Sequence, residues 1–113
     1  MQTDAVSLCR EYRKNSLAFM DKYKDKSISV SGKIKQIHEN QVSEGVIVLD
    51  GYGSGWSFKF DIECTGDGVE CIFDEKYKKD LIGLQIGKSV NISGVVRGKW
   101  DYIGINDCHI LSH

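Results

Sequence analysis

The chain has 113 residues, which is enough for one domain and too few for a second hydrophobic core. Its composition, 41% hydrophobic and 27% charged, is typical of a soluble globular domain and excludes general disorder. The net charge is −1, and no apolar stretch reaches the roughly 18 residues that a transmembrane helix needs.

The first predicted element is a helix over 6–23. Leu8, Tyr12 and Leu17 recur there at roughly helical spacing, with charged residues between them. Either Asp4 or Ser7 is a suitable N-cap. We therefore assign 1–25 to an N-terminal helix that packs on the rest of the domain.

Three strand regions follow this helix. Alternating apolar and polar residues predict a strand over 27–37, with a kink at Gly32 and a change of phase before Ile37. A short apolar strand over 46–49 comes after a polar loop. A third strand region over 57–73 is interrupted by a glycine-containing turn.

The second half of the chain predicts a short helix over 74–84 and strands over 89–96 and 100–111. The first and fourth strands both read S-(I/V)-x-(I/V)-S-G-x-(I/V), as expected of two barrel strands that bend at an equivalent glycine. A short helix between the third and fourth of five strands is the pattern of the OB-fold, a Greek-key barrel. We predict a mainly β, single-domain OB barrel over 1–113, since a sandwich needs more strands.

Seven segments carry a family resemblance, most of them at core and turn positions. They are Tyr12–Asn15, Ala18–Tyr23, Val30–Ile34, Val69–Phe73, Leu84–Gly87, Val90–Gly94 and Asn106–Ile110. In these segments the chain resembles the bacterial tRNA_anti-like group of OB-fold domains over nearly its whole length. The resemblance implies an OB barrel and, by analogy, nucleic-acid binding. Many members of that group look like exported or lipid-anchored proteins of unknown role.

A binding module for single-stranded nucleic acid is the first functional hypothesis. OB-folds bind single strands with aromatic platforms and basic side chains near their second and third strands. The candidate residues are Trp56, Phe58, Trp100 and Tyr102 for stacking, and Lys33, Lys35, Arg97 and Lys99 for phosphates. The alternative for the aromatic residues is that they fill the barrel or cover its ends.

The charge distribution supports a second hypothesis, a protein-interaction module. Residues 1–38 hold eight bases and four acids, residues 39–75 one base and nine acids, and residues 76–113 six bases and three acids. The acidic middle has the wrong sign for a phosphate groove. It could instead present an acidic, nucleic-acid-mimicking face to a basic protein partner, or simply keep the surface soluble. The candidate residues for such a face are Glu63, Asp67, Glu70 and Asp74.

The four cysteines are Cys9, Cys64, Cys71 and Cys108. Cys71 and Cys108 fall at positions of the resembled family, and the third and fifth strands of an OB barrel can lie close together. A disulfide between them is compatible with an exported protein, and two buried thiols with a cytosolic one. Cys64 and Cys71 could alternatively pair across the glycine turn. No C-x-x-C pair is present, which disfavours a zinc ribbon or a thioredoxin-type site.

Neither a metal site nor catalysis is indicated. Cys108 and His109 are adjacent in a strand, so their side chains diverge and cannot share a metal or a proton. No Walker loop, G-x-S-x-G or H-E-x-x-H motif occurs. We expect a non-enzymatic module without a cofactor. The start of the chain is polar and carries no signal peptide, so a cytoplasmic protein and an exported one with its signal removed both stay open, as does the oligomeric state.

Overall fold

The computed structural model describes residues 1–42, 44–51, 68–99 and 103–113. The elements in chain order are β1 (Gln2–Asp4), α1 (Ala5–Lys14), α2 (Ser16–Tyr23), β2 (Ser27–Glu39), β3 (Gly45–Asp50), β4 (Gly68–Phe73), a 3₁₀ helix (Glu75–Leu81), β5 (Ser89–Lys99) and β6 (Ile103–Ser112).

Five of these strands close into the predicted OB barrel. The order β2-β3-β4-β6-β5 returns to β2 through a β5–β2 pairing, and within the described residues only the β4–β6 pairing of this ring is parallel. The short helix lies between β4 and β5, which are the third and fourth barrel strands because β1 precedes them. β1 was not predicted, since three residues are too few for a periodic signal; it adds in parallel to β2, with Thr3 opposite Val30.

The prediction of one continuous N-terminal helix is wrong, because the chain breaks at Asn15. The backbone of Asn15 is extended, with φ −163°, and its N–H donates to the Glu11 carbonyl at 3.1 Å. Its side-chain oxygen then accepts from the Ala18 N–H at 3.0 Å and caps α2. At the start of α1 the cap is Asp4, which accepts from the Ser7 N–H at 2.8 Å.

The two strands that share a sequence pattern are neighbours in the barrel. Residues 27–33 of β2 pair antiparallel with 89–95 of β5, so that Gly32 lies opposite Val90 and Gly94 opposite Ile28. The register of β2 with β3 shifts between Ile34 and Gln36, and this bulge accounts for the predicted change of phase.

Helix α1 packs on the barrel through its buried Ala5, Leu8 and Cys9. A Cβ on Gly32 would come within 3.1 Å of the Ala5 Cβ, and one on Gly51 within 2.6 Å of the Cys9 sulfur. Glycine at these two places therefore permits the helix to approach the strands.

Several predicted segments differ from the observed bounds or cannot be compared. The short helix ends at Leu81, three residues before its predicted end, and is of the 3₁₀ type. Gly87 has a left-handed φ of 91°, as suits the glycine that closes the turn before β5. The part of the third strand region over 57–67, and residues 100–102 of the last strand, lie outside the described residues.

Candidate nucleic-acid interface

The predicted aromatic residues fall in two segments, 52–67 and 100–102. The strand ends that flank these segments lie side by side at one end of the barrel. Asp50, near the end of β3, pairs with Gly68, the first residue of β4. The next residue, Val69, pairs with Ile103 of β6, and Ile103 pairs with Lys99 at the end of β5. Segments 52–67 and 100–102 are thus attached to neighbouring strands. The aromatic candidates themselves, Trp56, Phe58, Trp100 and Tyr102, lie outside the described residues.

A turn from the N-terminal region lies against the same stretch of β5. The Asp25 N–H donates to the Val96 carbonyl at 2.8 Å, and the Val96 N–H donates to the Lys26 carbonyl at 3.0 Å. Arg97 Nη1 lies 3.1 Å from Asp25 Oδ1, and Arg97 Nη2 lies 3.7 Å from Asp107 Oδ2. The turn that bears Lys24 and Lys26 therefore stands beside Arg97.

We call these residues the hairpin-end group. It comprises Lys24, Lys26, Arg97 and Lys99 with the acids Asp25 and Asp107. Four bases against two acids leave the group cationic. The side chains in its ion pairs are 42% (Arg97), 64% (Asp25) and 73% (Asp107) exposed, and pairs this exposed contribute less than about 1 kcal/mol. A phosphate can therefore replace either carboxylate at Arg97 at small cost.

Sequence reasoning missed Lys24 and Lys26 because no local signal connects them with Arg97. The Arg97–Asp25 hydrogen bond joins residues 72 positions apart. These lysines instead suit the end of a helix, where cations interact favourably with the helix dipole.

The structure does not bring the four predicted bases into one patch. Lys33 lies opposite Ser89 at the start of β5, whereas Arg97 lies eight residues further along that strand, or about 27 Å at the usual rise. Lys33 also lines an open cleft of about 370 Å³ together with Asp4 and Asp50. Lys35 lies in the β2 bulge between Ile34 and Gln36, so both lysines are far along the strands from Arg97 and lie beside the end of β3.

The outer face of β3 and β4 is the usual OB binding face. Val46 and Val48 project there, opposite Ile72 and Glu70, yet both valines are buried, at 2% and 0% exposure. The described residues of these two strands include no lysine or arginine. In the described part of the chain, the outer face of β3 and β4 therefore offers no cationic side chain to a phosphate.

Of the four acidic candidates, the described part of the chain includes Glu70 and Asp74. Asp74 caps the 3₁₀ helix, accepting from the Lys76 N–H at 3.0 Å. Glu39, another acid of the negative middle segment, is paired with Lys78. Glu70 is half-buried on the outer face of β4. Glu63 and Asp67 lie outside the described residues.

Cys71 and Cys108 are both fully buried free thiols that face each other. Interaction with the neighbouring Cys108 sulfur, together with burial, raises the pKa of the Cys71 thiol well above its ordinary value. The disulfide between them stays a prediction. As expected for adjacent strand residues, Cys108 points inward, whereas His109 is exposed and its ring lies 4.7 Å from that of Tyr77.

The described residues contain no group of three or more metal-ligating side chains placed to hold an ion. None of their helices is long and apolar enough to cross a membrane.

Comparison with known proteins agrees with this architecture. A crystal structure of a lipoprotein from Klebsiella pneumoniae subsp. pneumoniae MGH 78578, described provisionally as nucleic acid-binding, superposes with a TM-score of 0.75. The alignment covers 99% of this chain and 92% of that one at 16% identity, which establishes a shared fold. No curated protein matches the sequence. The model of the tRNA_anti-like family matches residues 1–109, and the chain therefore belongs to the tRNA_anti-like family.

Proposed function

We propose that this barrel binds single-stranded nucleic acid at the end where segments 52–67 and 100–102 are attached. The observation that carries the proposal is the strand register, which brings Gly68, Ile103 and Lys99 together beside the hairpin-end group. Aromatic side chains in the two segments would stack on bases, and the bases of the hairpin-end group would contact phosphates. We further propose that the module acts by binding alone, without catalysis.

The charge of the proposed site sets the kind of binding to expect. Two to four neutralised phosphates on a single strand give a slope of log affinity against log salt between about −1.4 and −2.8. Stacking on every base type gives little sequence preference. We therefore expect micromolar, sequence-tolerant and moderately salt-sensitive binding. The family and the provisional description of the Klebsiella protein support the same class of ligand.

Fluorescence anisotropy of a labelled mixed-sequence single strand, at low and then physiological salt, tests the proposal. The variant Arg97→Ala/Lys99→Ala should weaken binding at least fivefold and flatten the salt slope. The matched control Lys76→Ala/Lys79→Ala removes the same charge from the 3₁₀ helix, which packs on Gly45 at the opposite end of β3, and should change affinity less than twofold. Absence of binding at low salt would overturn the proposal, and equal losses in the two variants would overturn the location of the site.

The aromatic contribution is tested separately with Trp100→Ala. Stacking is a non-ionic contact, so the loss of Trp100 should weaken binding about tenfold while the salt slope stays unchanged. An unchanged affinity would remove Trp100 from the site.

The protein-interaction alternative makes a different prediction. A basic partner that binds the acidic middle segment should be lost when Glu63, Asp67 and Glu70 become lysines, whereas oligonucleotide binding should be kept or strengthened. No contact among the described residues favours this alternative, and it becomes the leading hypothesis only if the anisotropy titration finds no binding.

A further inference from the structure

A bulge in β6 turns Cys108 toward the barrel interior. Asn106 pairs with Val95 and His109 with Ser93, so β6 has one more residue than β5 in this interval. Asp107, inside the bulge, has a left-handed φ of 55°. In a regular strand Cys108 would point away from the side occupied by Ile105. The extra residue reverses this, and the Cys108 thiol donates to the Ile105 carbonyl at 3.2 Å.

Cys71, on the neighbouring strand β4, also lies beside Ile105. It lies on β4 directly opposite Ile105 of β6, where the two strands pair in parallel. Both cysteines have 0% exposure, and the neighbouring Cys108 thiol and burial raise the pKa of Cys71. Gly94 of β5 leaves room for the Cys108 side chain, since a Cβ at position 94 would lie 3.0 Å from the Cys108 sulfur.

We propose that Cys71 and Cys108 form an intramolecular disulfide that links β4 to β6 across the parallel seam of the barrel. The two residues are about 37 positions apart, so the bond would close a large loop and strongly restrict the unfolded chain. This modification site is independent of the proposed nucleic-acid binding.

The oxidant is a low-molecular-weight disulfide such as oxidised glutathione. One cysteine thiolate attacks a sulfur of the oxidant, forming a mixed disulfide and releasing one glutathione thiolate. The second cysteine then loses its proton, attacks the protein sulfur of the mixed disulfide and releases the second glutathione. The protein loses two electrons and two protons, and the oxidant becomes two thiols.

Burial determines when this reaction takes place. The reactive species is the thiolate, and both thiols are buried away from solvent and oxidant in the folded barrel. The folded dithiol should therefore resist oxidation and alkylation, and the disulfide should form while the chain folds. Refolding in an oxidising buffer is accordingly the right experiment, and oxidation of the folded protein is its control.

The test uses the complete wild-type chain, reduced and unfolded, then refolded in mixed oxidised and reduced glutathione. After refolding, the protein is denatured at low pH and its free thiols are blocked by alkylation in denaturant, before proteolysis and mass spectrometry. The expected product is a peptide pair linked through Cys71 and Cys108, with a melting temperature at least about 10 °C above that of the reduced protein. A link between Cys64 and Cys71, or alkylation of Cys71 and Cys108 in the refolded protein, would overturn the proposal.

Two variants separate this disulfide from other thiol chemistry. Cys9→Ser removes the buried cysteine of α1 and should leave both the linked peptide and the upward shift in melting temperature. Cys108→Ala should abolish both. Persistence of the shift in Cys108→Ala would show that a different pair of cysteines is responsible and would overturn the proposal.

Discussion

At the scale of single residues, small side chains decide how closely the strands approach. Residues of β6 occupy the space that a side chain at Gly94 of β5 would need. A Cβ at this position would lie 2.4 Å from Ile105 Cγ2 and 2.9 Å from the Asn106 carbonyl oxygen. The sequence pattern identified this glycine as a bend equivalent to Gly32. It could not show what fills the space, because the bulge at Asp107 leaves no periodic signal.

Gly94→Ala should destabilise the protein by about 1–3 kcal/mol, because the added methyl group overpacks against backbone as well as a side chain. Gly83→Ala is the matched control, since a Cβ there meets nothing within 4 Å, and it should change stability by less than about 0.5 kcal/mol. Urea unfolding of the two variants measures both values. Equal stabilities would contradict the described packing around Cys108.

The Cys71 thiol should make stability depend on pH under reducing conditions. Its pKa is raised in the folded protein, so the thiol's contribution is complete below the ordinary thiol pKa of about 8.5 and declines as the pH rises toward the folded value. In that window the unfolded chain has lost a proton that the folded chain retains. Cys71→Ala should reduce the loss by up to about 1.4 kcal/mol per pH unit. Urea unfolding between pH 7 and 10 checks this, and identical slopes would contradict it.

At the scale of elements, the sequence identified the strands and helices well and their junctions less well. Apolar alternation located β2 and β5, and a short apolar run located β3. The change of phase in β2 marked the bulge at Lys35. The break at Asn15 escaped because apolar spacing continues through it. An Asn residue alone does not predict a helix N-cap, because its side chain can also bond to the backbone in other conformations. Only the hydrogen bond from the Ala18 N–H shows that Asn15 caps α2.

Asn15→Ala should lower the free energy of unfolding by about 1 kcal/mol, through loss of the cap on α2. Asn15→Asp keeps an acceptor for the Ala18 N–H and places a negative charge at a helix N-terminus, so it should be neutral or slightly stabilising. Thermal unfolding of both variants provides the comparison. A fully stable Asn15→Ala protein would show that the two helices do not need this cap.

At the scale of the whole molecule, closure of the barrel brings together residues of the hairpin-end group that are far apart in the sequence. The fold class follows from the sequence pattern and the family resemblance. The hairpin-end group does not, because a backbone contact between the 24–26 turn and Val96 brings Lys24 and Lys26 to Arg97. For the same reason the predicted bases separate into two groups, with Lys33 and Lys35 far along the strands from Arg97.

NMR mapping of the contact is the most direct test of whether single-stranded nucleic acid binds at the barrel end where segments 52–67 and 100–102 are attached. Amide shifts of the ¹⁵N-labelled protein are followed during titration with an unlabelled mixed-sequence single strand. We predict that the largest changes fall on Lys24–Lys26, Arg97–Lys99 and Gly68–Val69, and that the 3₁₀ helix at the opposite end of β3 changes little. Changes centred on the 3₁₀ helix, or a spectrum that does not change at all, would contradict the proposed site.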